Sequence, residues 1–519
     1  MLGSIKRTAL TSALLAGIAT PALLAAAPAA AETLKVGVRE YTGGKGNPFS
    51  GAVGTPGIYT WSAVYEQLTQ NGVGGVSQPL LATGWKNIDP TTWEFKLVTG
   101  KFANGEVINA AAVKASYDWL LKTDAGKALT TGKNIGPFIA DVIVVDDQTV
   151  HIKTTRPNPV TPKTVQQVTI VPPKLWADVG VEGFTTKMVG SGPYTAEFNK
   201  ETLIGTANAN WRGTRGNIDR IEWYELSEGP ARAQALLSGQ IDIDVLLSRD
   251  SLSQVQAAGI KTLAKRSTRT LGLSLVTMRK PAADKPSEPV KGPLADARVR
   301  QALNYAIDKQ AIVDGIFGGN GAPASQSASS VINGFNPAIK PYEYNPAKAK
   351  QLLTEAGYPN GFPLEFRAIM TDSAISQTYQ AAVQDLTRIG LKVDLISQPF
   401  PDWIKHYIGG DWPWDGFGFG HDLTQTSDTS QAFMTLTSCY KNPPYYCNES
   451  EMALVKQAEV EFDEAKRVAL LKQWQQMQHD NAPIIFLVEF DELMAYSPKV
   501  QNFDYVSLWI PYEKLNKAR

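Results

Sequence analysis

Residues 294–321 read LADARVRQALNYAIDKQAIVDGIFGGNG and contain two successive helix starts. Asp296 can cap the first helix through its carboxylate. Apolar residues follow it at spacings of three and four, which predicts a helix with one buried face. Asp308 can cap a second helix, which the Gly-rich sequence after Phe317 brings to an end. The stretch therefore predicts two consecutive helices that anchor a lobe, with a bend in the chain at Asp308.

Working outward from this stretch, four other passages carry local signals in a fixed order. They are residues 81–105 (LATGWKNIDPTTWEFKLVTGKFANG), 190–194 (GSGPY), 231–244 (ARAQALLSGQIDID) and 344–357 (YNPAKAKQLLTEAG). Together with residues 295–309, their order and spacing resemble the peptide/nickel/opine family of solute-binding proteins, the receptors that deliver ligands to bacterial ABC importers. The resemblance covers nearly all of the chain after its first 31 residues.

This resemblance implies an α/β protein with the two-lobe periplasmic-binding-protein fold, in its large type II variant, and two crossover strands. The first lobe is predicted to comprise residues 32–272 and 486–519, with an extra subdomain at 76–184. The second lobe is predicted to comprise residues 276–484. A polar, Pro- and Lys-rich passage at 279–293 marks a change in composition near the first crossover.

The N-terminal sequence predicts a secretory signal peptide over residues 1–31. Lys6 and Arg7 precede a long apolar run, and small residues stand before Glu32, as a signal peptidase requires. A membrane anchor is the alternative, but two prolines and many alanines make this run a poor permanent span. We therefore expect cleavage before Glu32 and a periplasmic location, and without a Cys after the apolar run we expect no lipid anchor.

The charge balance argues against a nucleic-acid partner. Removal of residues 1–31 leaves 48 basic and 50 acidic residues, so the chain has no excess of positive charge.

Cys439 and Cys447 are the two cysteines of the chain, in SCYKNPPYYCN. An oxidising periplasm favours a disulfide between them, and two buried free thiols are the alternative. A second Cys pair is missing and the four histidines are scattered, which does not suit a zinc site. The sequence therefore predicts a disulfide, with neither a metal nor another cofactor.

The resemblance also implies the function. A peptide or an amine-bearing small compound is expected to be captured between the lobes, and hinge closure presents the protein to an ABC permease in the inner membrane. The expected protein is a monomer and not an enzyme.

The strongest candidate for ligand contact is the segment 411–428. A strand is predicted at 415–420, and its glycines leave one face open to a ligand or to another backbone. In peptide-binding members of the family the corresponding strand ends in Trp-x-x-Asp, where the aromatic ring packs on the ligand and the carboxylate pairs with its α-amino group. The matching positions here are Phe419 and Asp422. An arginine present in some oligopeptide binders falls at Gly416 and is absent.

Three further residues complete the predicted ligand site. They are His421 beside Asp422, Trp412 at the start of the segment, and Tyr41 in a Gly-rich loop that faces the ligand in the family. Structural roles compete with these assignments: Phe417 and Phe419 could be core residues, Asp422 could cap a turn, and Trp412 could be structural.

Two other functional classes stay open. An exported hydrolase would need a nucleophile or a metal cluster, and the sequence contains no Gly-x-Ser-x-Gly or His-Glu-x-x-His, although a glycosidase-type carboxylate pair is compatible with the composition. A periplasmic chaperone or haem carrier could use the same fold, although a Cys-x-x-Cys-His haem attachment is absent.

Overall fold

The computed structural model of the chain describes residues 32–41, 44–50, 57–282, 285–370, 372–418, 421–423, 426–431, 439, 444–507 and 509–518. At residues 407, 408, 421 and 422 it describes the main chain alone. The predicted signal peptide lies outside the described residues.

Helices are distributed along the whole described chain. They are α1 (Ile58–Trp61), α2 (Ala110–Lys122), α3 (Asp124–Ala128), α4 (Thr130–Ile135), α5 (Thr161–Thr164), α6 (Pro173–Thr186), α7 (Gly229–Leu237), α8 (Leu252–Ala257), α9 (Ala297–Tyr305), α10 (Lys309–Phe317), α11 (Pro346–Glu355), α12 (Ser373–Arg388), α13 (Phe400–Gly409), α14 (Glu449–Ala458) and α15 (Glu464–Asn481).

Strands alternate with these helices, as expected for an α/β protein. They are β1 (Glu32–Val38), β2 (Thr69–Asn71), β3 (Ser77–Pro79), β4 (Ala82–Asp89), β5 (Thr92–Leu97), β6 (Ile139–Asp146), β7 (Thr149–Thr154), β8 (Lys187–Met188), β9 (Tyr194–Asn199), β10 (Thr202–Ala207), β11 (Ile218–Glu225), β12 (Ile243–Asp244), β13 (Lys261–Leu275), β14 (Met278–Arg279), β15 (Glu288–Pro289), β16 (Gly321–Pro323), β17 (Pro363–Ala368), β18 (Lys392–Ser397), β19 (Gly416–Gly418), β20 (His421–Asp422), β21 (Ile484–Tyr496), β22 (Val500–Gln501) and β23 (Asn516–Lys517).

Thirteen of the described strands form one mixed sheet that runs through both halves of the molecule. Its order is β18-β17-β19-β13-β21-β12-β1-β11-β10-β9-β8, with β16 added beside β21 and β20 beside β13. Strands β4, β5, β7 and β6 form a separate antiparallel sheet inside the region predicted as the extra subdomain. The long antiparallel pair β13 and β21 joins the two halves of the main sheet.

The apolar core divides at this pair of strands. One large cluster of buried side chains draws on residues 34–245 and 494–515, and a second draws on residues 271–391 and 485–490. We call the parts around these clusters the first and second lobes. Along β13, the side chains pass from the first cluster to the second between Leu263 and Leu271. Along β21, they pass from the second cluster to the first between Phe490 and Met494. This lies a few residues from the predicted limits at 272 and 486, and the domain limits stay a prediction.

The two anchor helices form as the sequence predicts. The Asp296 carboxylate accepts a hydrogen bond from the Arg298 N–H (2.8 Å) at the start of α9, and that of Asp308 accepts one from the Ala311 N–H (2.9 Å) at the start of α10. Gly318 then ends α10 in the left-handed conformation, with φ of 58°, which glycine adopts without steric cost. The buried faces of both helices pack into the second lobe's core.

Candidate functional site

A cavity of about 290 Å³ lies where the crossover strands meet both lobes. We call it the hinge cavity, and its lining residues are Gly72, Val73, Gly74, Lys265, Arg266, Ser267, Thr268, Val331, Glu492, Tyr505, Val506 and Ser507. The first lobe contributes the turn between β2 and β3 together with residues 505–507. Val331, the neighbour in sequence of Ile332 in a separate buried cluster, also lines the cavity.

A break in the pairing of β13 with β21 forms one wall of the hinge cavity. Arg266 pairs with Asp491, but the next pairing joins Thr270 to Glu489, so β13 advances four residues while β21 advances two. Such a bulge pushes the extra residues out of the ladder and turns the strand. Ser267 and Thr268, which lie inside the bulge, line the cavity in consequence.

Acidic residues on β21 face basic residues on β13 across this wall. Arg266 Nε lies 2.7 Å from Asp491 Oδ1, and Arg269 Nη2 lies 2.7 Å from Glu492 Oε1. The Ser267 hydroxyl also donates to Glu492 Oε1 (2.9 Å). Burial alone would raise the pKa of Glu492, but the charges of Arg269 and Arg249 and the hydrogen bond from Ser267 outweigh it and hold that pKa below its ordinary value. The wall is therefore charged and internally paired.

The predicted residues His421 and Asp422 form β20, whose main chain lies beside this wall. In the antiparallel ladder of β20 with β13, the main chain of Asp422 lies opposite that of Arg269, and the main chain of His421 lies opposite that of Thr270. These positions come immediately after the cavity-lining bulge. The structure describes only the main chain at these two positions, and Phe419 lies outside the described residues. Ligand contact by Asp422, His421 and Phe419 stays a prediction.

Trp412 lies in an aromatic cluster and not in the lining of the hinge cavity. It is 1% exposed, stacks on Phe417 with ring centroids 4.8 Å apart, and meets Trp414 and Tyr445 edge-on. Four rings packed in this way are typical of a hydrophobic core. The structure gives Trp412 a packing role, and direct ligand contact by this residue stays a prediction.

Tyr41 is likewise engaged in structural contacts. Its hydroxyl donates to the Trp223 carbonyl oxygen (2.6 Å) and accepts from the Leu203 N–H (3.3 Å), and its ring meets Phe198 edge-on. Burial raises the pKa of Tyr41 to about 12. These contacts fasten the chain after β1 to β10 and β11, and ligand contact by Tyr41 stays a prediction.

The bare face of the glycine-spaced strand is occupied by other parts of this chain, over the residues that the structure describes. β19 spans Gly416–Gly418, and a side chain at either glycine would collide with the ring of Phe366 or of Tyr379. Both rings belong to the second lobe's core. The glycines therefore admit core side chains and, at Gly416, the main-chain carbonyl of Ser274, so the close approach of another backbone that the sequence suggested is present.

The disulfide between Cys439 and Cys447 is present, as the sequence predicts. Among the described residues, one group of potential metal ligands lies close together, and it consists of these two cysteines and Glu449. Because both sulfurs are consumed by the disulfide, this group offers no thiolate ligand.

Sequence reasoning missed a buried ion cluster between the lobes. Asp428 is fully buried; its Oδ2 lies 3.0 Å from Lys163 Nζ, and both of its oxygens contact the Arg467 guanidinium. Burial alone would raise the pKa of Asp428, but Arg467 and Lys163 hold it well below its ordinary value. We call Lys163, Asp428 and Arg467 the interlobe ion cluster. The three residues are distant in sequence, and nothing in their local patterns links them.

Comparison with known proteins decides the family. The sequence model of the bacterial extracellular solute-binding proteins, family 5, matches residues 77–443, which is more than half of the chain. The chain belongs to this family. As a member of solute-binding family 5, it is a ligand-binding receptor of the kind that serves ABC importers.

Relatives of this family 5 protein carry several different ligand names. The dipeptide-binding protein of Escherichia coli K12 is 24% identical over 458 residues, covering 82% of this chain and 83% of the relative. Heme-binding protein A of Haemophilus influenzae is 27% identical over 331 residues, covering 62% of this chain and 58% of the relative. The periplasmic binding protein DppA of Helicobacter pylori, solved with a peptide, has a TM-score of 0.71 at 21% identity, covering 94% of this chain and 98% of that one. The structural likeness establishes the two-lobe fold.

No helix within the described ranges of this family 5 protein is long and apolar enough to cross a membrane.

Proposed function

We propose that this protein captures a peptide or another amine-bearing small compound in the hinge cavity and delivers it to the permease of an ABC importer. The observation that carries the proposal is the position of β20. Its residue Asp422 lies opposite Arg269 in the main-chain ladder with β13, directly beside the cavity wall. We infer that the carboxylate of Asp422 binds an ammonium group of the ligand. Relatives named for dipeptides and glutathione support a ligand with a free amine.

The geometry also supports capture by closure. The cavity is walled by the turn after β2, by residues 505–507 and by the bulge of β13, so a ligand inside it would touch both lobes and the strands that join them. A ligand shifts a conformational equilibrium only by its differential affinity for the two states. Contacts to both lobes supply this difference, because they exist together only when the lobes are closed.

We infer that the protein has no catalytic activity, acts as a monomer and works in the periplasm after removal of residues 1–31. The relatives of this chain are binding proteins, which supports the first inference. Incubation with peptide and oligosaccharide libraries should yield no product, whereas turnover would favour the hydrolase alternative. N-terminal sequencing of exported protein should begin at Glu32.

The ligand class is tested first with material that accompanies the protein. Mass spectrometry of compounds released by denaturing the purified protein should find amine-bearing molecules. Calorimetry of ligand-free protein with a dipeptide panel and with the N-acetylated counterparts should show that acetylation abolishes binding. Binding of added hemin, followed by absorbance, together with indifference to all dipeptides would instead favour the heme-binding relatives.

The role of Asp422 is tested by Asp422→Asn. A desolvated charge-assisted pair contributes about 1.5 to 3 kcal/mol, so the substitution should weaken dipeptide binding by roughly ten- to a hundredfold. The melting temperature of the ligand-free protein should change little. Asp411→Asn is the matched control, because Asp411 is 70% exposed and pairs with His406 (3.2 Å). Unchanged affinity in Asp422→Asn, or a large loss of ligand-free stability, would assign Asp422 to turn capping.

A further inference from the structure

The interlobe ion cluster connects a lysine of the first lobe to an aspartate and an arginine on the side of the second lobe. Lys163 lies in α5, next to Val165 and Val168 of the first lobe's core. Arg467 lies in α15, and this helix is tied to α9 of the second lobe because Arg300 Nε donates to the carbonyl of Asn481 (2.9 Å). The bond from Lys163 to Asp428 is therefore made across the lobe contact.

The second lobe already satisfies Asp428 without help from Lys163. Arg467 contacts both carboxylate oxygens, the Asn333 amide donates to Oδ2 (2.9 Å), and the Ser430 N–H donates to Oδ1 (3.0 Å). The Asp428 site is thus complete enough to persist when the lobes separate. The ammonium of Lys163 is an addition that exists only while the lobes are in contact.

Lys163 also holds the turn that walls the hinge cavity. Its ammonium donates to the carbonyl of Gly75 (2.6 Å), directly after the cavity-lining residues 72–74. Gly75 itself approaches the second lobe so closely that a side chain there would collide with the Ser427 carbonyl and the Asn333 main chain. One side chain therefore ties the cavity wall of the first lobe to the charged site of the second.

We propose that Lys163 is a positioning residue for ligand capture. By bonding Asp428 and the Gly75 carbonyl together, it fixes the turn at residues 72–74 against the second lobe and favours the closed state, without touching the ligand. The ammonium is 8% exposed and Asp428 fully buried, so solvent screens their attraction little. This inference rests on the proposed capture by closure for the existence of lobe motion.

The test measures the distance between the lobes in ligand-free protein. Spin labels at Lys127→Cys in α3 and Lys456→Cys in α14, both exposed positions, report the distance between the lobes by pulsed electron resonance. Lys163→Met should lower the ratio of closed to open protein by about tenfold, since a buried charge pair is lost while Asp428 keeps Arg467. Lys163→Arg should retain most of the closed fraction.

Arg156→Met is the matched control at the same contact. Arg156 of the first lobe faces Glu459, directly after α14, at 3.9 Å, but it is 53% exposed, so its removal should change the ratio by less than about twofold. Identical distance distributions in wild type and Lys163→Met, or lower thermal stability with unchanged distances, would overturn the proposal. If Lys163→Met fails to fold, Lys163→Gln provides the same comparison.

Failure of this proposal and failure of the proposed function are distinguishable. If added dipeptides bind without changing the distance in the wild type or any variant, capture by closure is wrong. If they shorten the distance in the wild type and Lys163→Met behaves identically, only the role of Lys163 is wrong.

Discussion

Buried carboxylates are paired differently inside the first lobe and between the lobes. Glu66, inside the first lobe, pairs with the cation Arg212 through two bonds of 2.6 Å and also interacts with the neutral Ser191. Burial is the dominant influence there and raises the pKa of Glu66. Asp428 meets Arg467 and Lys163 together, and these cations overcome burial and lower its pKa.

The same contrast recurs in a second pair of sites. Asp244 in the first lobe has one cationic partner among the described residues, Arg232 at 3.0 Å, and burial raises its pKa. Glu492 beside the hinge cavity has Arg269 and Arg249 nearby, and its pKa is lowered. One arginine thus leaves burial dominant, whereas a second cation reverses the balance. Of these four buried carboxylates, the one at the hinge and the one at the lobe contact are held in the charged form.

The largest expected effect is the loss of stability when the arginine beside one of these buried carboxylates is replaced. Arg467→Met leaves the buried Asp428 with much less compensation and should lower the free energy of unfolding by about 3 to 5 kcal/mol at pH 7. Arg212→Met should cost less, because Glu66 with its raised pKa takes up a proton more readily.

Urea unfolding of both variants gives this comparison. Arg298→Met is the control, because Arg298 pairs with Asp296 at a half-exposed position and should contribute no more than about 1 kcal/mol. Equal losses for Arg467→Met and Arg212→Met would show that the number of cations does not set the stability of these sites.

Removal of the disulfide, an uncharged covalent link, should have an intermediate effect on the free energy of unfolding. Replacing both Cys439 and Cys447 with serine should cost about 2 to 3 kcal/mol, the loop-entropy value for a loop this short. Because disulfide sulfurs do not titrate, the loss should be the same at pH 4 and pH 7 in urea unfolding. A strongly pH-dependent loss would mean that the substitution also disturbs a charged site.

The smallest effects, and the most specific, are the opposite pH dependences of two amide substitutions. The pKa of Asp428 is lowered, so its contribution is complete above 3.8 and disappears as pH falls through the folded-state value. The pKa of Glu66 is raised, so its charged form destabilises the fold above 4.5 and stability recovers as pH falls toward that value.

The measurement is the stability difference between wild type and each variant from pH 3 to pH 7. Relative to Asp428→Asn, the wild-type advantage should shrink below pH 3.8, and relative to Glu66→Gln it should grow as pH falls toward 4.5. Each slope should not exceed about 1.4 kcal/mol per pH unit. Slopes of the same sign would contradict the assignment of one pKa direction.

Local chemistry allowed the sequence to predict much of this fold. The caps at Asp296 and Asp308 are decided by neighbouring residues, as is the cap of α11, where Asn345 accepts from the Lys348 N–H (2.9 Å). The end of α15 at Asn481 has a similarly local cause, because Pro483 follows and cannot continue the helix. Family motifs supplied the order of these elements and hence the two lobes.

The candidate site was harder to predict, because it depends on contacts between distant residues. A tryptophan in sequence can belong to a core or to a ligand platform, and the rings that pack around Trp412 are seen only in the structure. The glycines at 416 and 418 suggest open space in the sequence, but in the structure the rings of Phe366 and Tyr379 fill it. Lys163 is an ordinary helical lysine in sequence, and its partner Asp428 is identified only by the fold.

The contribution of residues 494–515 to the first lobe has a consequence for biosynthesis. Tyr512 donates to the carbonyl of Tyr59 (2.6 Å) and accepts from the indole N–H of Trp223 (3.1 Å), so this core contains side chains from both ends of the described chain. A ribosome delivers residues 59 and 223 long before residue 512. The first lobe cannot complete its interior while the chain is growing, and a nascent chain without a finished core is better suited to threading through a translocation pore.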